Sequence, residues 1–552
     1  MTTPDWWQGA TIYQIYPRSF LDTTGNGVGD LPGIARKLDH IADLGVDAIW
    51  ISPFVQSPMK DFGYDVSDYH AVDPLFGQQE DVHILFEEAH ARGLRVIMDQ
   101  VLSHTSDRHA WFRESRRSRD NPKADWYVWA DAAPDGGPPN NWLSVFGGSS
   151  WQWNPWRGQY YLHNFLREQP DLNFHDPQVQ DAVLDICRSW LDLGADGFRL
   201  DVCAFYVHDP ELRDNPPEPD TPRGAHFQFN PYSYQRHVHD IAQPQNLAFL
   251  ERLRALTDAY DDRVLLGELH QENYAQLHRD YTAPGRLHLA YGYDILGAER
   301  LTAGLMRGTA EKLGHGEGDG WPCWAMDNHD FTRTPTRCGW ERDPDAALLA
   351  LVALTCLRGA ACIYQGSELA LPEADLTFDQ LHDPYGREFW PAYKGRDGAR
   401  TPMPWDEHLP HGGFSEAEPW LPVPHAHLRR AVSVQAGQPG SPLNRLRRFL
   451  DWRRGEPALR RGAMQFIDAP EDVLAFIRDD GRAPVLCLFN LSDTDACVRL
   501  GEAARGAALE GHGFGCHADN AGIHLPAWGA WFGRPEPHGT AVPLPRDHAR
   551  PA

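Results

Sequence analysis

The chain has no uninterrupted run of about 18 apolar residues, so no segment is expected to span a bilayer. It has no excess of positive charge either. Its 51 Lys and Arg face 77 Asp and Glu, a formal net charge of −26. A nucleic-acid binder needs a basic stripe to neutralise phosphates, and docking on anionic lipid needs the same sign. Neither partner is expected. There is no CxxC motif. The nine cysteines (Cys187, Cys203, Cys323, Cys338, Cys356, Cys362, Cys487, Cys497 and Cys516) are odd in number and scattered. That fits free thiols in a reducing compartment better than a disulfide framework or a zinc site. The opening MTTPDWWQGA lacks a basic n-region followed by an apolar stretch. No secretory signal is read, and a cytoplasmic location is expected.

What the chain does have is an ordinary globular composition. It is 42% hydrophobic and 23% charged over 552 residues, enough for a core of normal size. That length suits three to five domains, or one large barrel with attachments. The 20 Trp are many; their rings suit the apolar faces of sugars, and equally suit large cores.

Short apolar runs alternate with helical patterns. Residues 11–20, 46–54 and 95–101 read as strands, and 31–44 and 81–92 as helices, the second closed by Gly93. The rhythm breaks over 105–174, a Trp-rich stretch that reads as an insertion after strand three. It returns with a helix carrying Val179, Val183, Ile186 and Trp190. Five more strands follow, at 194–202, 263–269, 289–295, 322–327 and 360–365. Eight parallel strands with intervening helices make a (β/α)₈ barrel. Residues 1–104 and 175–460 are assigned to the barrel, 105–174 to an inserted domain, and 461–552 to a C-terminal antiparallel β-sandwich domain. Segments 209–224 and 371–441 read as long irregular loops, which in a compact domain are usually functional.

Ionisable residues gather at the expected strand ends: Asp99 and His104 in DQVLSHTS, Arg199 and Asp201 in DGFRLD, Glu268 in GELH, and His329 and Asp330 in DNHD. The ends of barrel strands are where active sites sit. These blocks, with QIYPRSF, GYDVSDY, QPDLNF, YQG and RTPMPW in the same order, resemble glycoside hydrolase family 13, in its α-glucosidase and oligo-1,6-glucosidase branch. The resemblance runs from about Trp6 to the end of the chain.

It implies a retaining double displacement, with Asp201 as nucleophile, Glu268 as general acid/base and Asp330 as the carboxylate that steadies the distorted sugar. Arg199, two residues before Asp201, can hold the nucleophile ionised. His104 and His329 match donors to bound glucose, and Asp99 a structural polar residue. Asp61 and Arg400 match an ion pair that grips the terminal glucose and closes the pocket. Tyr64 would stack under the sugar, and Phe146 and Phe165 match pocket-lining aromatics, for which core packing is the competing reading. No cofactor is required for the chemistry.

Asp22, Thr24, Asn26, the Val28 carbonyl and Asp30 alternate as in oxygen-ligand calcium loops, with Gly27 at the sixth position. The branch binds a structural Ca²⁺ or Mg²⁺ there; the competing reading is a Gly-rich turn. Three departures stand out. Thr24 and Asn26 replace stronger ligands, Ser103 replaces a calcium-ligating Asn of many amylases, and Ser367 and Ala370 replace Glu and Gly.

Linkage stays open. Val202 after the nucleophile accompanies α-1,6 specificity, whereas the insert ELRDNPPEP resembles enzymes of short α-1,4 substrates. The expected substrate is a short oligosaccharide or disaccharide, cut from its non-reducing end, with transglucosylation as a side activity. The rivals are a sucrose isomerase, trehalose synthase or glucosyltransferase on the same scaffold, and, more remotely, a non-catalytic transporter subunit.

Overall fold

The computed structural model describes residues 6–218, 229–269, 273–314, 320–499, 506–519 and 521–535. Eight strands close into a parallel barrel: β1 Thr11–Ile15, β2 Ala48–Ile51, β3 Arg95–Gln100, β4 Gly197–Leu200, β5 Val264–Glu268, β6 Leu289–Tyr291, β7 Trp321–Ala325 and β8 Ala360–Tyr364. Each expected strand is present, shorter than its apolar run. The strands are buried on both faces, as parallel strands under helices must be. Side chains alternate. Ile12, Ala48, Trp50, Ile97, Leu266, Leu289 and Tyr291 fill the barrel interior. Tyr13, Ile49, Val96, Phe198, Leu265 and Ile363 join the larger core outside it.

The expected helix over 31–44 is two helices, Leu31–Arg36 and Leu38–Leu44, parted at Lys37 with φ −111°. The Lys37 N–H bonds back three residues to the Ile34 carbonyl at 3.0 Å, which tightens and ends the first helix. The next is Gln79–Ala91, followed by left-handed Gly93 at φ 75°. Helix Pro177–Asp192 buries Val179, Val183, Ile186 and Trp190, as its spacing requires.

Within 105–174 lies a three-stranded antiparallel sheet, Trp129–Ala130, Gln159–Leu162 and Trp151–Asn154 in spatial order. Trp142 and Trp151 form its core with Val128 and Leu162. The 371–441 segment is less irregular than expected. It holds helices Pro384–Phe389, His425–Leu428 and Val432–Ala436. Each is under two turns, too short to show a period in sequence. Segment 209–224 is described only as far as Glu218; its remainder lies outside the described residues, as do 536–552.

The C-terminal part is a sandwich of a five-stranded and a three-stranded antiparallel sheet. Val473, Ala475, Leu486 and Leu488 face Val498, Ile523 and Leu525 between the sheets. The alternate residues Leu474, Phe476, Cys487 and Phe489 join the barrel's outer core with Leu446 and Phe449 of helix Pro442–Arg454. Among the described residues no helix is long and apolar enough to cross a membrane.

Gly197, which opens β4, has φ 154°, and a Cβ there would lie 2.1 Å from the Val264 carbonyl oxygen of β5. Only glycine lets the two backbones approach this closely. Gly197→Ala is expected to cost more than about 3 kcal/mol, in the range of core strain. Chemical denaturation would measure it, and an unchanged midpoint would refute the steric account.

Candidate active site

The residues at the C-terminal ends of the strands meet around one buried guanidinium. Arg199 is fully buried and lies over the Trp50 ring at 4.9 Å. Its Nη1 donates to Asp99 Oδ1 at 2.8 Å and Asp201 Oδ1 at 2.7 Å, and its Nη2 to Glu268 Oε2 at 2.5 Å. Tyr291 accepts from the same group at 2.7 Å. Three carboxylates thus share one cation. Burial raises the Asp201 carboxyl well above the usual range; Arg199 pulls it down, and Glu268 and Asp99 push it up. Burial likewise pushes Asp99 up to about 6 against Arg199.

Asp330 has the opposite environment. Burial would raise it, but His329, Arg396, Arg400 and Arg199 hold it well below the carboxylate range. Arg400 Nη2 reaches Asp330 at 2.9 Å and Arg396 Nη1 at 3.2 Å. The structure corrects one expected pair. Asp61 is bound by Arg396, at 2.8 Å, and not by Arg400. Arg400 instead donates through Nε to the His329 carbonyl at 2.7 Å. Arg396 is itself fixed by Asp383 at 2.7 Å, the N-cap of helix Pro384–Phe389.

Both histidines are neutral, pushed down by burial to about 4 for His104 and about 3 for His329. Gln14 donates to His329 Nδ1 at 2.8 Å, which leaves the ring proton on Nε2, donated to the Tyr64 hydroxyl at 2.7 Å with Asp330 Oδ2 3.1 Å away. Ser103 contacts His104 Nδ1 at 2.8 Å, and Nε2 donates to the Tyr64 carbonyl at 2.9 Å. Ser103 therefore orients the imidazole of its neighbour.

A cavity of about 930 Å³, open mouth included, sits over this network. Asp61, Tyr64, His104, Phe146, Phe165, Asp201, Glu268 and Asp330 line it, with Gln169, Tyr293, Tyr385, Tyr393 and Arg396. Arg199, His329 and Arg400 stand behind that wall. Its aromatics are Phe and Tyr, with no Trp among its lining residues; the Trp residues belong to cores or, like Trp156 at 71% exposure, to the surface. A second, largely apolar cavity adjoins it. The two share Val145, Phe165, Val202, Glu268, Tyr293, Phe331 and Tyr385, whereas Asp61, Tyr64, His104, Gln169 and Arg396 line the inner one alone.

A family model for the α-amylase catalytic domain matches residues 14–462. The chain belongs to glycoside hydrolase family 13. A relative named as a probable α-glucosidase, from Rhizobium meliloti, is 53% identical over 539 residues, 96% of this chain and 97% of its own. An oligo-1,6-glucosidase from Heyndrickxia coagulans is 35% identical, with 89% and 92% covered. Among solved structures, the α-glucosyl transfer enzyme XgtA superposes with a TM-score of 0.94 at 52% identity, covering 97% of this chain and 100% of its own. The trehalulose synthase MutB from Pseudomonas mesoacidophila gives 0.86 at 32%, with 96% and 100% covered.

Several lining residues of this family 13 site were not legible in the sequence. Arg396 lies four residues before Arg400 in the same GRDGAR block, and nothing local tells the two apart. Gln169 precedes PDLNF and reaches Asp61 at 3.2 Å. In an extended strand Val202, next after Asp201, would face the opposite side. It lies beyond the end of β4, in left-handed conformation at φ 36°, and lines the cavity directly. A β-branched residue there is strained. Its N–H is what this geometry delivers, 3.0 Å from Glu268 Oε2.

The 22–30 segment folds as a turn. Asp22 accepts from the N–H groups of Thr24, Gly25 and Gly27 and from Ser415. Asn26 Oδ1 accepts from Val28 N, and Asp30 caps helix Leu31–Arg36 at Gly33 N while binding Thr23. The donor types suit a hard cation, but the turn's own donors fill the carboxylates. Among the described residues no three His, Cys, Asp or Glu gather to hold a metal.

His104 supplies a pH test. Unfolded histidine titrates near 6.5, and the folded imidazole only near 4. Its depressed value adds stability that is full above 6.5 and lost as the pH falls towards 4. A His104→Gln variant should be less stable than wild type at neutral pH. Its deficit should shrink below 6.5 by about 1.4 kcal/mol per pH unit. A deficit constant with pH, measured by urea titration, would contradict the buried neutral ring.

Proposed function

We propose that the protein is an exo-acting, retaining α-glucosidase that releases glucose from short α-glucosides. The observation that carries this is how the two adjoining cavities divide their lining residues. Asp61 and Arg396 lie only on the side away from the adjoining cavity, while Glu268 stands at the junction of the two. A terminal glucose fills the inner pocket, and the rest of the substrate extends past Glu268. Asp201 and Glu268 are held by one guanidinium, which suits the short carboxyl separation of retaining enzymes, about 5–5.5 Å, over the wider inverting one.

In this reading Glu268 enters the reaction as the general acid and Asp201 as the nucleophile. Asp201 attacks the anomeric carbon as Glu268 protonates the leaving oxygen. Water, activated by the ionised Glu268, then releases glucose. Asp330 and Asp61 accept from sugar hydroxyls, and the rings of His104 and His329 stay uncharged, which leaves the positive charge of the transition state to the carboxylates. Asp201→Asn should lower turnover about 10⁴-fold or more with folding retained. On soluble starch the wild type should release glucose alone; a rapid fall in viscosity would mean an open cleft.

Transfer to a sugar acceptor is a second activity of the same intermediate, supported by the 52% identity to an α-glucosyl transfer enzyme. A cytoplasmic location is supported by the nine free thiols. A structural Ca²⁺ or Mg²⁺ at Asp22, Thr24, Asn26, Val28 and Asp30 would bind in competition with the turn's own hydrogen bonds. Millimolar Ca²⁺ should then raise the melting temperature above its value in EDTA. Equal values would leave the hydrogen-bonded turn as the whole support of this segment.

A further inference from the structure

The two oxygens of Glu268 are bound differently. Oε2 accepts from Arg199 Nη2 at 2.5 Å and from the Val202 N–H at 3.0 Å. A guanidinium and a backbone amide can only donate, so a proton on Oε2 would face two other protons. Among the described residues Oε1 has a partner of another kind, the hydroxyl of Tyr293 at 2.8 Å. A phenol can donate to a carboxylate and can equally accept from a carboxylic acid.

Tyr293 is placed firmly. It opens the short helix Tyr293–Leu296, two residues past the end of β6. Its ring meets Phe331 edge-on at 4.9 Å. It lines both the inner pocket and the adjoining cavity, at the junction where the bond to be cut must lie. Burial and the neighbouring Glu268 hold its hydroxyl well above the usual phenol range, so it stays neutral.

We propose that Tyr293 is a positioning residue for the proton-transferring carboxyl, fixing Oε1 as the oxygen that carries the proton. The inference rests on the reading of Glu268 as acid/base. In the first step the Oε1 proton passes to the glycosidic oxygen, which keeps the electron pair of the breaking bond to the anomeric carbon. An Asp201 oxygen forms the new bond to that carbon. As charge develops on Oε1, the Tyr293 hydroxyl donates to its other lone pair. A hydrogen bond to a charged acceptor is about twice as strong as one to a neutral acceptor, so Tyr293 helps most in the transition state. In the second step a water proton passes to Oε1, its oxygen bonds to the anomeric carbon, and Asp201 leaves with its bonding pair.

The test is the leaving-group dependence of Tyr293→Phe, with rates counted per active site trapped by a fluorinated glucosyl fluoride, so that misfolded chains do not enter. Maltose needs a proton on its leaving oxygen, and kcat/KM should fall about 10–100-fold, part of the 10²–10⁴-fold that a general acid supplies. The para-nitrophenyl α-glucoside leaves without one, and its kcat/KM should stay within about threefold. Its kcat should fall, because water must still lose a proton, and azide should restore it while forming α-glucosyl azide. Equal losses on both substrates, or no loss on maltose, would overturn the proposal. Glu268→Gln tests the underlying reading separately. If that variant still turns over maltose, the acid/base assignment fails. If it is dead while Tyr293→Phe shows no leaving-group dependence, only the role of Tyr293 fails.

Discussion

The site depends on the placement of Arg199. One cation, fully buried among apolar side chains of the barrel interior, holds Asp99, Asp201 and Glu268 from three adjacent strands. In that low dielectric none of the charges could stand alone, and removing any partner would strand the others. The barrel supplies what the cluster needs. Trp50 lies beneath the guanidinium and also donates to Asp99 Oδ2 at 3.1 Å, and Tyr64 donates to the same oxygen at 3.0 Å. Packing and charge are therefore not separable here. The side chains that fill the barrel are the ones that orient its carboxylates.

The neutral and charged groups divide the work by position. His329 and His104 each have one ring nitrogen occupied from behind, by Gln14 and Ser103. The Gln14 amide can only donate to His329 Nδ1, and the Tyr64 carbonyl can only accept from His104 Nε2, so each ring carries its proton on Nε2, and burial keeps each ring uncharged at working pH. Asp330, ringed by Arg396 and Arg400, stays ionised over the same range. An uncharged ring and a permanent anion can face the same sugar without competing for a proton.

The barrel was legible because its strands are buried on both faces and so read as continuous apolar runs between helices with a clear period. Asp201, Glu268 and Asp330 were legible because they end such runs. The partner of Asp61 was not. Arg396 and Arg400 sit in a segment without period, and the choice between them is made by Asp383, 13 residues away from Arg396. Tyr291 and Tyr293 escaped notice for a different reason. At the end of an apolar strand a tyrosine reads as core, and only the fold shows that both hydroxyls point at the charged cluster. The left-handed turn at Val202 could not be foreseen, because a β-branched residue is the least expected one at positive φ. There the local preference is overridden by the need to aim a backbone N–H at Glu268.

The ion pair of Asp61 and Arg396 has a consequence for kinetics on longer substrates. A pocket closed at that end cannot slide along a chain. Each cut must be followed by escape of the glucose outward, past the site of cleavage, before another end can enter. The shortened chain must therefore withdraw first, and successive cuts on one molecule are independent encounters. At equal mass, a substrate sample is consumed in proportion to the number of its non-reducing ends, so a branched glucan offers more work than a linear one of the same weight.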